Sequence, residues 1–409
     1  MSPPAVVGTG IVCSLGADVP AFTAALREGR AGITDSGNGL CAPLVGFTLR
    51  DALDGVPEPL RGRALRAAGR SPRPVAAAVA AVLQAWVSAG LPDVPGDRVG
   101  VVVAGHNLTD RYTHDLRESY ADRPEYLPAR FALHSLDTDH VGTISEVLSA
   151  TGEGYTVGGA SASGNVGIVH GARLVASGVV DCCVVVGPLV ELTPLHRRGF
   201  ATLGALAVDG DPRAACRPFD ADRRGFVPGE AAAALVLESA ASARRRGVPV
   251  RASVAGVALG LDGNRLADPD AAGEARVIRA ALRAAGVGPG ELDYVNAHGT
   301  ASRLGDETEV AALGLALGDA VSRPWVNSTK GLTGHCLASA GVVEAVATVA
   351  QLTGGFVHPN ANLTRPLDDR VRFVGADAEP ARLRWALSNG FGFGGINSAV
   401  VFAGVPDGG

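Results

Sequence analysis

The sequence predicts an α/β protein built from two similar halves, and three paired stretches carry that prediction. Residues 4–12, PAVVGTGIV, read as a buried strand closing on a glycine turn, and 251–260, RASVAGVALG, repeat its small and β-branched pattern. Stretches 76–107 and 273–302 each run an amphipathic helix into a Gly/Pro turn and then a strand ending in small and polar residues. A third pair, 154–178 and 324–355, reads strand, small-residue turn, helix. The halves span 1–250 and 251–409, the first carrying a candidate nucleophile and the second two candidate histidines.

Taken in order, the first strand is followed by a short helix from Val19 to Glu28. Arg61, Arg63, Arg66, Arg70 and Arg73 then cluster in EPLRGRALRAAGRSPRP, either as a solvated helix face or as a docking site for an acidic partner. His106, His114, His134 and His140 lie in an irregular polar stretch without metal-ligand spacing, suited to lining a pocket or a dimer loop. His170, His196 and His358 have no partner near them in sequence.

The run GYTVGGASASG at 154–164 is the corner that matters most. A β-branched strand ends in Gly158 and Gly159, and an apolar-faced helix begins just after Ser161. Such a corner presents backbone N–H groups and a helix N-terminus to a nucleophile or an oxyanion. It nearly matches a hydrolase elbow, but that elbow requires Gly where Ser163 stands. Further on, DCCVVVG reads as a buried strand, and Arg217 to Glu238 as a charged, turn-rich segment feeding an apolar strand. His298 closes the strand YVNAHGT, His335 sits in STKGLTGH at the corner equivalent to that of Ser161, and FGFGG puts glycines where backbone approaches closely.

Composition narrows the function. A formal charge of −5 argues against nucleic acid as a partner. No apolar run approaches the roughly 18 residues that cross a bilayer, and MSPPAVVGTG has no basic segment before a hydrophobic one, so a cytoplasmic protein without membrane contact is expected. The six cysteines have no CxxC spacing or paired framework and read as reduced, buried thiols, with no metal site.

Ser161, His298 and His335 in one apolar pocket suit a thioester or acyl substrate. Imidazoles donate to a developing enolate, and N–H groups at Ser161 and near Phe393 complete an oxyanion hole. Lys330 and Glu344 flank His335 in sequence and are placed to orient it or tune its charge; Asp306 and Glu309 do the same for the loop at His298.

Five segments together, VVGTGIVCSLG, RPFDADRRGFVPGE, YVNAHGTASRLGDETE, NSTKGLTGHCLASAG and SNGFGFGGINSAVVF, resemble the β-ketoacyl synthases of fatty-acid and polyketide synthesis over essentially the whole chain. The resemblance implies a thiolase-like fold, two duplicated α/β halves in a five-layer arrangement, and a homodimer. It implies that His298 and His335 form the catalytic pair, supported by Lys330, Glu344, Asp306 and Glu309. Thr300 and Ser302 match positions that touch the pantetheine arm, Gly392 and Gly394 border the substrate, and Phe393 gates the pocket and supplies the second oxyanion donor. The helix bearing Arg61, Arg63, Arg66 and Arg70 resembles the surface that receives an acidic acyl carrier protein. No bound cofactor is implied, since the substrate rides on the carrier's phosphopantetheine.

One departure decides the expected activity. Condensing members carry Cys in a TACASG-like motif, and this chain has GASASG, with Ser161 at the nucleophile position. A thiol of pKa about 8.5 is a few per cent thiolate at neutral pH, whereas a serine hydroxyl stays protonated without a positioned base. Decarboxylation of a malonyl thioester needs no covalent nucleophile, only a carboxylate in an apolar site and donors for the enolate oxygen. The run 135–167 resembles serine-bearing decarboxylases of polyketide β-branching cassettes, which convert malonyl to acetyl on a carrier protein. A serine-dependent acyltransferase or ester-forming synthase, and a non-condensing partner subunit, are the alternatives.

Overall fold

The computed structural model describes residues 2–405 apart from 38, 92, 209 and 265. Ten strands join in one sheet. The first five are β1 (Ala5–Cys13), β2 (Val99–Ala104), β3 (Gly154–Val157), β4 (Cys182–Gly187) and β5 (Ala231–Glu238). The second five are β6 (Ala252–Leu261), β7 (Tyr294–Asn296), β8 (Trp325–Asn327), β9 (Trp385–Gly392) and β10 (Ile396–Gly404).

Their spatial order is β8-β7-β9-β10-β6-β1-β5-β4-β2-β3. Read outward from the centre, β1-β5-β4-β2-β3 and β6-β10-β9-β7-β8 have the same topology. In each set the two strands nearest the centre pair antiparallel with their neighbours, and the outer three pair parallel. The sets meet through a two-rung antiparallel contact, Ala5 opposite Ser253 and Val6 opposite Ala252.

Eight helices matter for the site. They are α1 (Val19–Glu28), α2 (Glu58–Ala68), α3 (Arg73–Ser88), α4 (Thr138–Leu148), α5 (Ser163–Ala176), α6 (Ala271–Ala285), α7 (Arg303–Leu317) and α8 (Ala340–Gly354). The ends of α1 follow from local chemistry: the Asp18 carboxylate accepts from Ala21 N–H, Pro20 occupies the first turn, and Gly29 closes the helix in the left-handed region. Helix α3 packs on β1 and β5, α6 covers β6 and β10 with α7 packed against it, and α5 and α8 lie between, touching each other and strands of both sets. The two strand sets, continuous only through that two-rung contact, form the two sheet layers of the five-layer thiolase-like arrangement of helix, sheet, helix, sheet, helix. Ile168 and Val169 from α5 and Val342, Val343 and Val346 from α8 share one core with Val185, Leu235, Val400 and Phe402. Each such fully buried side chain contributes about 1.5–3 kcal/mol.

Two sequence readings need correction. Leu337–Gly354 is, by length and composition, apolar enough to cross a membrane, although no such run was expected. Its window is 72% buried inside the protein, where it forms the central helix α8, so its apolarity answers to two sheets and not to lipid. Arg73 does not belong with the basic cluster: it starts α3 and forms ion pairs with Glu191 at 2.6 Å and Glu230 at 3.2 Å. The six cysteines are all buried and unpaired.

The central helices cross at two glycines. A Cβ on Gly164 would lie 2.6 Å from the backbone nitrogens of both Gly341 and Val342, and one on Gly341 would lie 2.5 Å from Asn165 N. Neither contact can be relieved by rotating a side chain. Gly164→Ala is expected to lower stability by about 1–3 kcal/mol in denaturant unfolding, because it forces α5 and α8 apart.

Candidate active site

Ser161 stands where β3 turns into α5. The turn is tied by Ser163, whose Oγ accepts from Gly159 N–H at 2.8 Å and donates to the Ala160 carbonyl at 2.7 Å. Ser163 thus has a structural task at the position where a hydrolase elbow would need glycine. Ala160, immediately before Ser161, takes φ 49°, a left-handed conformation unusual for a residue with a Cβ. The fourteen-residue helix α5 then begins, so the Ser161 backbone sits at a helix N-terminus.

His298 follows the end of β7. Glu309 of α7 holds that loop with one carboxylate: Oε1 accepts from His298 N–H at 2.8 Å and Oε2 from Gly299 N–H at 2.7 Å. Asp306, one turn earlier on α7, accepts from Ala301 N–H at 3.1 Å and Phe219 N–H at 2.7 Å. Burial pushes the Asp306 carboxyl up to about 7, against those backbone donors. Lys330 reaches the same loop from the other side, donating to the His298 carbonyl at 2.5 Å and pairing with Glu344 of α8, both partners almost wholly buried. Lys330 was placed beside His335 by sequence proximity; its direct contact is to the His298 backbone, and it acts on His335 through space.

His335 is pinned by the first half of the chain. Its N–H donates to the Val227 carbonyl at 2.6 Å, and its carbonyl accepts from Gly229 N–H at 2.9 Å, so the end of RPFDADRRGFVPGE forms its seat. The ring Nδ1 accepts from Leu337 N–H at 3.2 Å, and Nε2 lies 2.9 Å from Ser161 Oγ. The two imidazoles meet edge to face with ring centres 5.8 Å apart, backed by Phe226 against His335 and Phe391 against His298. Burial, reinforced by the Lys330 charge, holds both imidazoles well below the usual histidine range, so both are neutral at pH 7.

Ser161, His298 and His335 open onto one cavity of about 750 Å3, shared with Thr300, Ser302, Gly392 and Phe393. Strand β9 is pressed against the serine corner: a Cβ on Gly392 would lie 2.4 Å from the Gly159 carbonyl, so only glycine lets β9 deliver Phe393 to that rim. Phe393 is 43% exposed and its ring stands 6.5 Å from that of Phe200. Thr300 Oγ1 donates to Ser302 Oγ at 2.9 Å. Of the two glycines that follow Phe393, Gly395 lines the cavity and Gly394 does not; Gly394 N–H is taken by the Leu266 carbonyl.

Arg61, Arg63, Arg66 and Arg70 lie apart from the cavity wall, Arg61 against Asp54 and Arg63 against Ser149, with Arg66 and Arg70 exposed. His106, read from the sequence as suited to lining a pocket, does line the cavity. Three wall residues escaped the sequence reading: His196 and Asp110, whose Nδ1 and Oδ2 are 3.5 Å apart, and Glu274 of α6. The signal for His106 was its place just beyond the end of β2, where side chains of an α/β sheet face ligand. His358, by contrast, is a buried structural residue hydrogen-bonded to Thr329.

Known proteins resemble this chain throughout. Residues 1–243 match the family description "Beta-ketoacyl synthase, N-terminal domain" and 251–364 the corresponding C-terminal domain. The polyketide biosynthesis malonyl-ACP decarboxylase PksF of Bacillus subtilis (strain 168) is 37% identical over 401 residues, covering 97% of this chain and 95% of PksF. A 3-oxoacyl-[acyl-carrier-protein] synthase 2 of Coxiella burnetii is 30% identical over 412 residues, covering 98% of each. Among solved structures, a β-ketoacyl synthase from Burkholderia phymatum superposes with a TM-score of 0.86 at 27% identity, covering 99% of this chain and 100% of the other. The ishigamide ketosynthase/chain length factor does so with a TM-score of 0.86 at 29% identity, covering 99% of each.

The buried ammonium generates a direct test. Lys330→Met leaves the Glu344 carboxylate without its cation and is expected to cost about 3–5 kcal/mol in denaturant unfolding, part of it recovered when Glu344→Leu is added. The ring resonances of His298 and His335 should show no protonation between pH 8 and pH 6 in the unmodified protein. In the double variant their midpoints should move upward, because a positive charge that opposed protonation is gone.

Proposed function

This chain belongs to the β-ketoacyl synthase family, and from that premise we propose that it decarboxylates malonyl carried on an acyl carrier protein, leaving acetyl on the carrier, in polyketide biosynthesis. The observation that carries the reading is the tautomer of His335. Leu337 N–H donates to Nδ1, so Nδ1 holds a lone pair and the proton of the neutral ring lies on Nε2. Nε2–H therefore donates to Ser161 Oγ and cannot take the serine proton. A ring fixed in this state is an oxyanion donor, not a base that activates a hydroxyl.

The reaction then needs little from Ser161. The bond between the malonyl carboxylate carbon and the α-carbon breaks, CO2 leaves, and the electron pair passes into an enolate whose oxygen gathers negative charge. His298 and His335 donate to that oxygen, the Nε2–H of His335 turning to it from Ser161 Oγ, and the N–H groups of Ser161 and Phe393 border the same space as backbone donors. Phe391, Phe226 and Phe200 keep the surroundings apolar, which disfavours the carboxylate more than the delocalised enolate. Thr300 and Ser302 stand where the phosphopantetheine arm enters, with Gly392 at the adjoining strand end. The name of the Bacillus subtilis relative, malonyl-ACP decarboxylase, supports the substrate, and the resemblance at 135–167 supports a place in β-branching.

The same reading takes the exposed Arg66 and Arg70, with Arg61 and Arg63 behind them, as the surface for an acidic carrier protein. It takes the protein as a homodimer: β3 is an outermost strand of the sheet, and Tyr126, Leu133 and Leu136 in the segment before it are exposed.

Intact mass spectrometry of malonyl carrier protein after incubation with the enzyme tests the proposal. Loss of CO2 from the carrier without mass gain on the enzyme is expected. Ser161→Ala should keep activity within about tenfold, while His298→Ala and His335→Ala each lose about 10²–10³ for the missing oxyanion donor. An acyl mass on the enzyme that vanishes in Ser161→Ala would favour an acyltransferase instead, and an unchanged malonyl carrier would sink the decarboxylase.

A further inference from the structure

The enolate left by decarboxylation needs a proton on carbon, and the catalytic pair is badly placed to give it. Both imidazoles are neutral, and their N–H groups are committed to oxygen. Glu274, in the first turn of α6, offers another source. It lines the same cavity as His298, Phe391 and Asn397, yet it is only 1% exposed and its Oε2 has no hydrogen-bond partner. Its charged neighbours are all acidic: Glu309, whose carboxylate holds the His298 loop, and Asp262 and Asp270. Asp262 is itself occupied with Asn397 at 2.6 Å, and Asp270 with capping α6. A buried carboxyl with one oxygen unpartnered and three acids around it stays protonated, and burial pushes Glu274 up to about 10.

We propose that Glu274 is the proton store for the product, a buried carboxylic acid in the cavity wall that protonates the α-carbon after CO2 has left. In this step the Glu274 O–H bond breaks, the enolate electron pair forms the new C–H bond of the acetyl group, and Glu274 becomes a carboxylate. Its high proton affinity then recovers a proton from solvent through the cavity mouth before the next turnover. The proposal rests on the decarboxylase reading and adds to it the residue that ends the reaction.

The test reads the lifetime of the enolate. Malonyl carrier protein is incubated with enzyme in buffer containing 13C-bicarbonate, and the carrier is analysed by mass for label returned to malonyl against acetyl formed. Glu274→Gln keeps the shape and neutrality of the side chain but has no acidic proton. It should raise the ratio of label return to acetyl formation by roughly tenfold or more, given what a lost general acid is worth. Glu274→Asp, which keeps an acidic proton, should lie closer to the unmodified enzyme. Should Glu274→Gln fail to fold, Glu274→Leu replaces it in the same comparison. An unchanged ratio, equal behaviour of the acidic and non-acidic variants, or loss of CO2 release itself would overturn the role of Glu274. Failure of the unmodified enzyme to release CO2 would instead strike the decarboxylase reading beneath it.

Discussion

A single buried ammonium organises the candidate active site. Lys330 is 1% exposed and joins Glu344 on the central helix to the carbonyl of His298 at the end of β7. Taking such a charge out of water costs several kcal/mol, and the cost is tolerable only because a carboxylate and a carbonyl both meet it. In return it fixes the His298 loop and keeps both imidazoles neutral, since a second positive charge nearby is disfavoured. Neutral rings are what the proposed chemistry uses, because each then has one N–H to donate, and the contact of Leu337 N–H with Nδ1 turns that of His335 toward Ser161.

Around that centre the backbone holds conformations that ordinary segments avoid. Asn107, Ala160, Ala301 and Leu337 all have positive φ, and each lies on the cavity wall or beside a residue that does. Ala160 precedes the serine, Ala301 follows Thr300, and Leu337 supplies the N–H that fixes the His335 tautomer. Each costs of order 1–3 kcal/mol and persists because the surrounding packing over-determines it. The crossing of α5 and α8 at Gly164 and Gly341 supplies that rigidity directly beneath the corner.

Much of this was legible from the chain alone, where the signal is local. Asp18, Pro20 and Gly29 state both ends of α1, and alternating small and β-branched residues mark β1, β4 and β6. The Ser161 and His335 corners and the His298 strand end follow from glycines and polarity switches within a few residues. What stayed hidden depends on contacts across large separations. Nothing near Lys330 in sequence says that it will bind residue 298, and nothing near Arg73 says that it will pair with residues 191 and 230. The apolar stretch of α8 has the composition of a membrane span, and only the two sheets around it explain that composition. Glu274 stands in the first turn of a helix, where an acid is ordinarily solvated, and its burial arises from how α6 lies on β6 and β10.

The matched topology of the two strand sets has an evolutionary consequence. In a symmetric pair of separate chains, every change at the serine corner would also appear at the histidine corner, since one gene would encode both. Joining the copies in a single chain releases each from the other. One corner is then free to keep a hydroxyl at a helix N-terminus, while its counterpart acquires an imidazole and a buried lysine. The scaffold keeps a symmetry that the two corners no longer share, and a change at the serine corner leaves the histidine corner untouched.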